Sequence, residues 1–245
     1  GYIVNENLKA EVLTTFKVNH LFVHRCQVVN GEVKVGDYAF AQIDSARRAQ
    51  IRVHHTSAHL LQAALIKVLG DEVKQAGSQV EENRMRFDFT FSRAMTPQEV
   101  KKTEDIMNKW IGEKLPVNTD VMGIEEAKLT GATALFGEKY EDVVRVVSIG
   151  GKAKCNCGSD CSCDHESGEE KEVISKEFCA GTHASNTADL RLVKIVSEGA
   201  IAAGTRRIEA VVADAALGYL NAKSAEIDKL ASRFKVHFDE VEPRI

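Results

Sequence analysis

The sequence predicts an α+β protein in which an antiparallel sheet carries packed helices. Residues 84–91 alternate strictly between apolar and polar side chains, which is typical of a half-buried antiparallel strand. Residues 96–99 read Thr-Pro-Gln-Glu, a capping box with proline at the first helical position, and they open a helix predicted to end near Leu115. With 245 residues and 44% hydrophobic content, the chain can build a sizeable core. Long helices beside such strands indicate an α+β architecture.

Residues 1–50 are predicted to form strands joined by turns. Residues 21–29 are rich in β-formers, and Asn30-Gly31 is a strong hairpin-turn signal, so residues 32–35 are predicted to be the return strand. Residues 38–43 alternate as a third strand. Three strands with free edges make an incomplete sheet, so we expect this segment to need strands from a preceding sequence. His20 and His24 are interpreted as ordinary strand residues.

The middle of the chain alternates between helical and strand patterns. A helix is predicted over residues 56–69, with Gly70 as its stop and an apolar stripe facing the core. Further strands are predicted at residues 117–122, 143–149, 173–178, 190–196 and 207–212. A last helix is predicted over residues 214–234, with a partial apolar stripe. That helix either packs on its own domain or starts a longer coiled coil or linker.

Composition narrows the class of protein. No segment approaches the apolar run that spans a bilayer, and no signal peptide is evident, so we expect a cytoplasmic protein without membrane contact. The chain opens on Gly1, which suggests a piece of a longer protein. Without a secretory context, its 6 cysteines are interpreted as reduced thiols. A net charge of −4 argues against a nucleic-acid-binding protein, although local basic patches can still contact phosphate, and no DNA partner is expected.

Two remote pairs of residues predict a metal centre. His55 and His59 are spaced i, i+4, and so are Cys179 and His183. On a helix this spacing places both side chains on one face. Imidazole nitrogen with thiolate sulfur is the mixture that tetrahedral zinc prefers, so we expect all four residues to bind one Zn²⁺. Each pair alone is weak, since such spacings and buried cysteines are common.

The neighbours of the ligands bear on the chemistry. Helical metalloproteases carry glutamate directly after the first histidine, whereas this chain has Thr56, so peptide hydrolysis by that route is excluded. Four protein ligands would favour a closed structural zinc, and three a catalytic zinc with an open position. Thr56 and Gln75 are the candidate catalytic residues, because polar groups near the ligands suggest a working cavity. Each is also a common cap or loop residue.

Five motifs resemble the editing domain of alanyl-tRNA synthetases. They are Arg-Val-His-His-Thr-Ser-Ala-His-Leu-Leu at 52–61, Gln-Ala-Gly-Ser at 75–78 before Arg-Phe-Asp-Phe at 86–89, Ala-Leu-Phe-Gly-Glu-Lys-Tyr at 134–140, Phe-Cys-Ala-Gly-Thr-His at 178–183 and Gly-Thr-Arg-Arg-Ile-Glu-Ala at 204–210. The resemblance divides the chain into the end of a partial β-barrel at 1–50, an editing domain at 51–213 and the start of a C-terminal helical linker at 214–245. The catalytic aminoacylation domain has no counterpart here.

The resemblance implies a hydrolase that removes serine or glycine wrongly attached to tRNA(Ala). It assigns zinc to His55, His59, Cys179 and His183, and it places Gln75 in the amino-acid pocket. Ala58 and Ala180 stand where the family often has threonine and glycine. The missing hydroxyl at Ala58 bears on how the pocket separates serine from alanine, since sites that read a hydroxyl discriminate through unpaired polar groups.

The implied partners are the 3′ end of tRNA(Ala) and the remainder of the synthetase. Single-stranded RNA calls for basic side chains along its backbone. The candidate contacts are Arg84, Arg86, Arg93, Arg206 and Arg207. Arg84 and Arg86 are also explained as solvent-facing strand residues. Competing interpretations are a freestanding editing protein, a threonyl-type editing domain, and a non-catalytic module in which a closed zinc holds a tRNA-binding surface together.

Residues 150–171 read as an insertion between two predicted hairpin strands. Cysteines and one histidine cluster there at spacings typical of a soft-metal site, namely Cys155, Cys157, Cys161, Cys163 and His165. The alternatives are a second metal site and an acidic loop with reactive thiols. If strands 143–149 and 173–178 pair, Cys179 leaves the opposite end of the hairpin, roughly 20 Å from the loop at about 3.3 Å per strand residue. We therefore expect the inserted cysteines to stay away from the main zinc.

Overall fold

The computed structural model describes residues 1–19, 21–134, 140–153 and 170–242. The chain divides into two compact units, Gly1–Ala49 and Gln50–Ile245. The second unit combines antiparallel sheets with helices, which confirms the predicted α+β class. None of the helices in the described part has the length and apolar character that crossing a membrane requires.

The first unit contains one antiparallel sheet in the order β3-β2-β1-β4. Its strands are β1 (Tyr2–Val4), β2 (Leu8–Val18), β3 (Leu21–Gly31) and β4 (Phe40–Gln42). The predicted strand over residues 38–43 is confirmed in a shorter form as β4. The predicted turn at Asn30-Gly31 and the return strand at 32–35 are wrong, because β3 instead pairs with the preceding strand, from Val18 opposite Leu21 to Leu8 opposite Gly31.

The conformation of Gly31 explains why Asn30-Gly31 was wrongly interpreted as a hairpin turn. Its φ is +84°, and a Cβ at this position would lie 1.6 Å from the carbonyl oxygen of Asn7, so only glycine allows the two strands to approach this closely. The reversal falls at Asn19, whose φ is +54°. Asparagine tolerates this left-handed conformation better than most residues do. A glycine needed for close approach therefore looked like a glycine needed for a turn.

The second unit contains two antiparallel sheets and nearly all of the helical residues. The helices are α1 (Ser45–Leu69), of which residues 45–49 are counted in the first unit, α2 (Pro97–Gly112), α3 (Ile124–Leu129) and α4 (Asp214–Phe234). Its strands are β5 (Gln75–Val80), β6 (Met85–Thr90), β7 (Val117–Gly123), β8 (Val143–Gly151), β9 (Lys171–Phe178), β10 (Val193–Ala202) and β11 (Thr205–Val212). One sheet has the order β10-β11-β6-β5 and the other the order β7-β8-β9.

Helix α1 is longer than predicted at its N-terminal end. It begins at Ser45 instead of residue 56, because the Asp44 carboxylate accepts a hydrogen bond of 2.9 Å from the backbone N–H of Arg47 and so caps the first turn. The polar residues of the first three turns hid this start. His55 and His59 therefore lie in the middle of the helix and not at its first turn, which fixes their backbone from both sides.

The core of the second unit follows the predicted patterns. Leu60, Leu61, Ala64 and Leu65 are fully buried, as the stripe on α1 predicted. The apolar face of β6 is also buried. Thr96 and Glu99 form the predicted capping box, although α2 ends at Gly112 and not near residue 115. The strand predicted from residue 190 begins at Val193, because Thr187–Leu190 forms a 3-10 helix.

The predicted hairpin of β8 and β9 is confirmed. Val146 pairs with Phe178 at one end and Gly151 with Lys171 at the other. Cys179 comes directly after β9 and therefore leaves the hairpin at the end opposite the connection between residues 151 and 171. Most of that connection, including its cysteines, lies outside the described residues.

Helix α4 confirms the last predicted helix and contacts β11. Its Ala216 and Ala231 are buried. The larger residues of the predicted stripe keep 37–55% of their surface exposed, namely Leu217, Leu220, Ile227, Leu230 and Phe234. The small residues thus make the packed face of this helix. Its role as a linker stays a prediction.

Candidate metal centre

Four side chains from two remote segments converge on one point. His55 and His59 come from α1, and Cys179 and His183 come from the loop after β9. Their potential ligand atoms all lie within 4.8 Å of one another. The Sγ atom of Cys179 is 3.3 Å from Nε2 of His183 and 3.5 Å from Nε2 of His55. The structure thus brings together all four residues that the sequence singled out.

The two sulfur–nitrogen distances are close to those around a tetrahedral zinc ion. Zinc binds imidazole nitrogen at about 2.0–2.1 Å and thiolate sulfur at about 2.3 Å, so on a tetrahedron a sulfur and a nitrogen lie about 3.5–3.6 Å apart. The distance from the Cys179 sulfur to His55 agrees with this value, and the distance to His183 is about 0.2 Å shorter. A set of three nitrogens and one sulfur also suits zinc better than it suits calcium or magnesium, which prefer oxygen donors. On geometry and chemistry, the group could hold Zn²⁺.

The helical half of the site is supported by Glu177. Its Oε2 lies 3.1 Å from Nδ1 of His59, an ion-pair distance without the alignment of a straight hydrogen bond. Its Oε1 accepts a hydrogen bond of 2.8 Å from the hydroxyl of Ser175. Both Glu177 and His59 are buried. A carboxylate behind a metal-binding imidazole orients the ring and raises its basicity, so Glu177 is placed as a positioning residue.

The other half of the site is a loop, which corrects the helical interpretation of the Cys-x3-His spacing. Residues 179–183 have no helical conformation. The guanidinium of Arg145 donates to the carbonyl oxygens of Ala180 and Gly181 at 2.7 and 3.0 Å. The N–H of Gly181 donates to Sγ of Cys179 at 3.4 Å. Side-chain and backbone contacts, rather than a helix, therefore bring this pair together.

Gly181 also lies directly against a ligand. A Cβ on this residue would be 2.0 Å from Cε1 of His55 and 2.5 Å from its Nδ1. No real Cβ contact is that short, so only glycine lets the loop close over the imidazole ring. The backbone of the loop thus packs against the side chain of His55, in addition to the contacts between donor atoms.

Thr56 lies behind His183 and not in an open cavity. Its Oγ1 is 3.2 Å from Nδ1 of His183 and accepts a hydrogen bond of 3.0 Å from the N–H of Ala184. The side chain is fully buried. When Nε2 of His183 binds a metal, Nδ1 carries the ring proton, and Oγ1 is placed to accept it. This contact suits a residue that orients the His183 ring, and the catalytic role predicted for Thr56 stays a prediction.

Mutual contacts set the protonation of the group. Burial alone would lower the pKa of His59, but the carboxylate of Glu177 and the sulfur of Cys179 raise it to about 10. Burial would raise the pKa of the Cys179 thiol, but hydrogen bonds with His183 and His55 lower it to about 3. Burial lowers the pKa of His183 to about 4. Cys179 is therefore a thiolate at neutral pH, the form that binds metal.

Gln75 lies at the first position of β5, half-buried. Its Nε2 donates to the hydroxyl of Ser78 at 3.1 Å. This contact does not test the predicted role of Gln75 in an amino-acid pocket, which stays a prediction.

Most of the predicted tRNA-contacting arginines have carboxylate partners. Arg93, Arg206 and Arg207 form two-point contacts with Glu99, Glu198 and Asp88 at 2.6–2.8 Å. Arg84 donates to Glu81 at 3.1 Å. Arg86 differs, because its half-buried side chain has an Nε without a hydrogen-bond partner in the described part of the chain. At four of these five positions a carboxylate already neutralises the charge that would attract a phosphate.

The predicted second metal site cannot be placed. Its residues Cys155, Cys157, Cys161, Cys163 and His165 all lie outside the described residues. So do residues 135–139 of the motif at 134–140.

The sequence interpretation missed Glu177 and Arg145. Glu177 stands two residues before Cys179 on a strand, so alternation alone could have placed both side chains on one face. To predict Arg145 one would need the register in which β8 pairs with β9. In that register the carbonyl oxygen of Arg145 accepts a hydrogen bond of 3.0 Å from the N–H of Cys179. A hairpin predicted with its register would have found both residues.

The chain is similar to known proteins over its whole length. Residues 144–209 match the model of the threonyl and alanyl tRNA synthetase second additional domain. Over all 245 residues the chain is 43% identical to the alanine–tRNA ligase of Synechococcus sp. (strain JA-3-3Ab), and it covers 25% of that protein. The corresponding values are 39% and 26% for Acaryochloris marina, and 41% and 25% for Nostoc punctiforme.

The whole chain is related to one segment of alanine–tRNA ligases. The resemblance that the five motifs indicated is thereby confirmed. The chain spans about a quarter of the length of these relatives. The match to the second additional domain includes β9 and the Cys179–His183 loop, so the loop half of the candidate metal centre lies within that domain.

Proposed function

We propose that this chain is the proofreading part of an alanyl-tRNA synthetase and hydrolyses serine or glycine ester-linked to tRNA(Ala). The single observation that carries the proposal is the convergence of His55, His59, Cys179 and His183 in a chain related throughout to alanine–tRNA ligases. A zinc ion bound by these residues would supply a Lewis acid for the ester carbonyl or for the attacking water. The reaction would take place in the cytoplasm, at the 3′ end of the tRNA.

The protein's own contribution is to hold the donors in place before the substrate arrives. Thr56 fixes the orientation of the His183 ring, and Glu177 does the same for His59. Arg145 ties the loop to β8, and Gly181 lets the loop lie against His55 of α1. Such preorganisation avoids the cost of reordering the site during the reaction. Gln75 is the proposed contact to the amino acid.

RNA binding in this proposal needs contacts beyond the predicted arginines. Four of the five are paired with carboxylates, and the unpartnered Nε of Arg86 is buried, so it does not face a phosphate. Phosphate contacts of this kind position the RNA without reading its sequence. The remainder of the synthetase is the proposed source of further tRNA contacts.

A non-catalytic zinc module is the alternative that one observation favours. All four donors lie within 4.8 Å of one another, and four protein ligands fill a tetrahedral site. In that case the metal would only hold a tRNA-binding surface together. A threonyl-type editing domain is less favoured, since the curated relatives that match the whole chain carry the name alanine–tRNA ligase.

Deacylation of Ser-tRNA(Ala) tests the proposal directly. The zinc-loaded chain is expected to release serine much faster than buffer alone does, and His59→Ala is expected to abolish that release. Cys26→Ala serves as the matched control, because Cys26 is the other described free cysteine and is not in the candidate metal centre. Release at the buffer rate with one zinc per chain would contradict hydrolysis and support the binding module.

A further inference from the structure

Arg145 binds the loop half of the metal centre with only one nitrogen of its guanidinium group. Its Nη1 donates to the carbonyl oxygens of Ala180 and Gly181 at 2.7 and 3.0 Å, which leaves Nε and Nη2 without a partner among the described residues. A guanidinium group carries its N–H donors in a rigid planar fork, so those of Nε and Nη2 stay available. The two contacts to the loop fix the plane of this fork next to Cys179.

The free edge of Arg145 is the edge that two other arginines of this chain use to bind oxygen anions. Arg206 and Arg207 each donate through Nε and Nη2 to both oxygens of a carboxylate, at 2.6–2.7 Å. A phosphate offers a similar pair of oxygens and accepts the same fork. No carboxylate of the described residues forms an ion pair with Arg145, so its charge is not neutralised as theirs is.

The free donors of Arg145 are accessible, in contrast to that of Arg86. The Nε of Arg86 is buried without a partner, whereas neither Nε nor Nη2 of Arg145 is among the buried unpartnered atoms of the described chain. Arg145 lies where one face of β8 leaves the core, since Val147 on the same face is fully buried and Val121, opposite Arg145 on β7, is 67% exposed. A ligand can therefore approach the free edge from solvent.

The metal centre opens to solvent on the side of this loop. His59 is buried and faces Glu177, whereas His55, Cys179 and His183 are only half-buried. The loop that carries Cys179 and His183 is therefore part of the rim of the site. Arg145 binds the backbone of that rim at residues 180 and 181, so a substrate that reaches the more exposed donors passes close to its guanidinium group.

Arg52 adds a second positive charge at the same rim. It lies three residues before His55 on α1, a spacing that puts both side chains on one face of the helix about one turn apart. Arg52 is exposed, and within the described part of the chain its side chain has neither a carboxylate partner nor a hydrogen bond. Because the loop lies against the His55 ring at Gly181, both arginines stand near the point where helix and loop meet.

We infer that Arg145 and Arg52 bind the phosphate that joins the last two nucleotides of the tRNA, an inference that rests on the proposed function. The ester is on the terminal ribose, and this phosphate is attached to the same ribose, so it lies within one sugar of the reacting carbonyl. Nε and Nη2 of Arg145 donate to two phosphate oxygens, and Arg52 supplies further positive charge from the helix. Such a contact holds the ester beside the metal centre without reading the bases.

Binding of an uncharged acceptor stem of tRNA(Ala) tests the inference without any hydrolysis. Two fluorescent RNAs are compared, one with the normal last phosphate and one with a neutral methylphosphonate in its place. The zinc-loaded chain is expected to bind the methylphosphonate RNA at least about tenfold more weakly, which is the cost of one hydrogen-bonded contact between charged groups. Equal affinities of the unmodified chain for the two RNAs would overturn the inference, whatever the variants show.

Variants that remove one charge locate the contact. In Arg145→Gln the difference between the two RNAs is expected to disappear. In Arg52→Gln the affinity is expected to fall, and the dependence of log Kd on log salt concentration should become shallower by about 0.7, the effect of one lost phosphate contact on a single strand. Arg233→Gln removes the same charge from an exposed position on α4, so it is the matched control and should bind both RNAs as the unmodified chain does.

Zinc content is measured for every variant, because Arg145 also holds the loop. If Arg145→Gln loses zinc, the decision falls to the unmodified chain with the two RNAs and to Arg52→Gln, whose altered side chain has no hydrogen bond to the loop among the described residues. A chain that prefers the normal phosphate but releases no serine from Ser-tRNA(Ala) would contradict hydrolysis and leave the phosphate contact in place. A chain that releases serine but binds both RNAs equally would contradict the phosphate contact alone.

Discussion

The two halves of the candidate metal centre are held by different kinds of structure. His55 and His59 sit in the middle of a 25-residue helix, with fully buried apolar residues directly after them. Cys179 and His183 sit on a loop whose position depends on a few contacts to Arg145, Gly181 and Thr56. Both pairs have the same i, i+4 spacing. Helical geometry brings the two side chains together in one pair, and tertiary contacts do so in the other.

This difference indicates which pair would keep its position without a metal and which pair would not. Hydrogen bonds within a helix and burial of its apolar face would keep the histidine pair in place without a metal. The loop pair is not held by helical hydrogen bonds. A Cβ added at Gly181 or the loss of the Thr56 hydroxyl would therefore act on it directly. We therefore expect substitutions near the loop to act on metal affinity, and substitutions in the helical half to act on folding as well.

The largest effect is expected from removing one ligand in each half. His59→Ala and Cys179→Ala should both lose stoichiometric zinc. His59→Ala should in addition leave the buried Glu177 carboxylate without its partner, which costs about 3–5 kcal/mol. Urea unfolding of the two chelator-treated variants measures this difference.

A double variant separates the two contributions. His59→Ala with Glu177→Met removes the unpaired carboxylate and should recover part of the stability lost in the single variant. Equal unfolding free energies for the metal-free His59→Ala and Cys179→Ala variants would contradict the difference between the halves. Cys26→Ala should match the unmodified chain in both zinc content and stability.

The next largest effect is expected at Gly181. In Gly181→Ala the new Cβ would lie 2.0 Å from Cε1 of His55, so the loop or the ring must move. Overpacking of this kind costs about 1–3 kcal/mol, and it should weaken zinc affinity more than it weakens the metal-free fold. Competition with a fluorescent zinc chelator measures the affinity.

Gly199→Ala is the matched control for this experiment. No atom lies within 4 Å of a Cβ at Gly199, which is on β10, so its zinc affinity should be unchanged. Unchanged zinc affinity in Gly181→Ala would show that the loop does not need to close on His55.

The four candidate donors could be singled out because the identity of their side chains carries the information. Three imidazoles and a thiol at matched spacings are typical of a zinc site whatever structure holds them. Periodicity likewise predicted β6 and the buried stripe on α1, since burial on one face forces apolar residues to recur. These features depend only on residues close in sequence.

The missed features depend on pairing between remote segments. Arg145 reaches the Cys179–His183 loop because β8 pairs with β9 in one register, and Gly31 is needed because β2 approaches it. Neither pairing is visible in a local pattern. The spacing of Cys179 and His183 matched a helix, yet the loop forms because a strand ends at Phe178 and Arg145 binds the backbone beyond it.

A smaller effect is expected from Thr56. Thr56→Val keeps the shape of the side chain but removes the hydroxyl that serves Ala184 and His183. The buried N–H of Ala184 then loses its partner, at a cost of about 1–3 kcal/mol. Zinc affinity should fall about 10- to 100-fold, as for other residues that orient a metal ligand.

Thr56→Ser keeps the hydroxyl and is the matched control. It should hold zinc nearly as tightly as the unmodified chain does. If Thr56→Val binds zinc equally well, the contact to His183 has no role in positioning the ligand. Isothermal titration with zinc under chelator buffering measures all three proteins.

The pH dependence of the metal-free chain separates the two halves by the direction of the change. His59 has its pKa raised from 6.5 to about 10, so its contribution to stability is complete below pH 6.5 and is lost as the pH rises to about 10. The pKa of Cys179 is lowered from 9.0 to about 3, so its contribution is complete above pH 9 and is lost as the pH falls to about 3. His183, with its pKa lowered from 6.5 to about 4, likewise loses stability as the pH falls.

These signs predict a profile with two limbs. Between about pH 4 and 6.5 the unfolded chain binds more protons at Cys179 and His183, so stability should rise with pH through the loop half. From about pH 6.5 to 9 the opposing terms of His59 and Cys179 should cancel. Above pH 9 the helical half alone should make stability fall, and His59→Gln should remove that fall relative to the unmodified chain. A fall of the same size in His59→Gln, measured by urea unfolding after chelation, would assign the alkaline limb to groups outside the metal centre and contradict the role of Glu177 in holding the protonated ring.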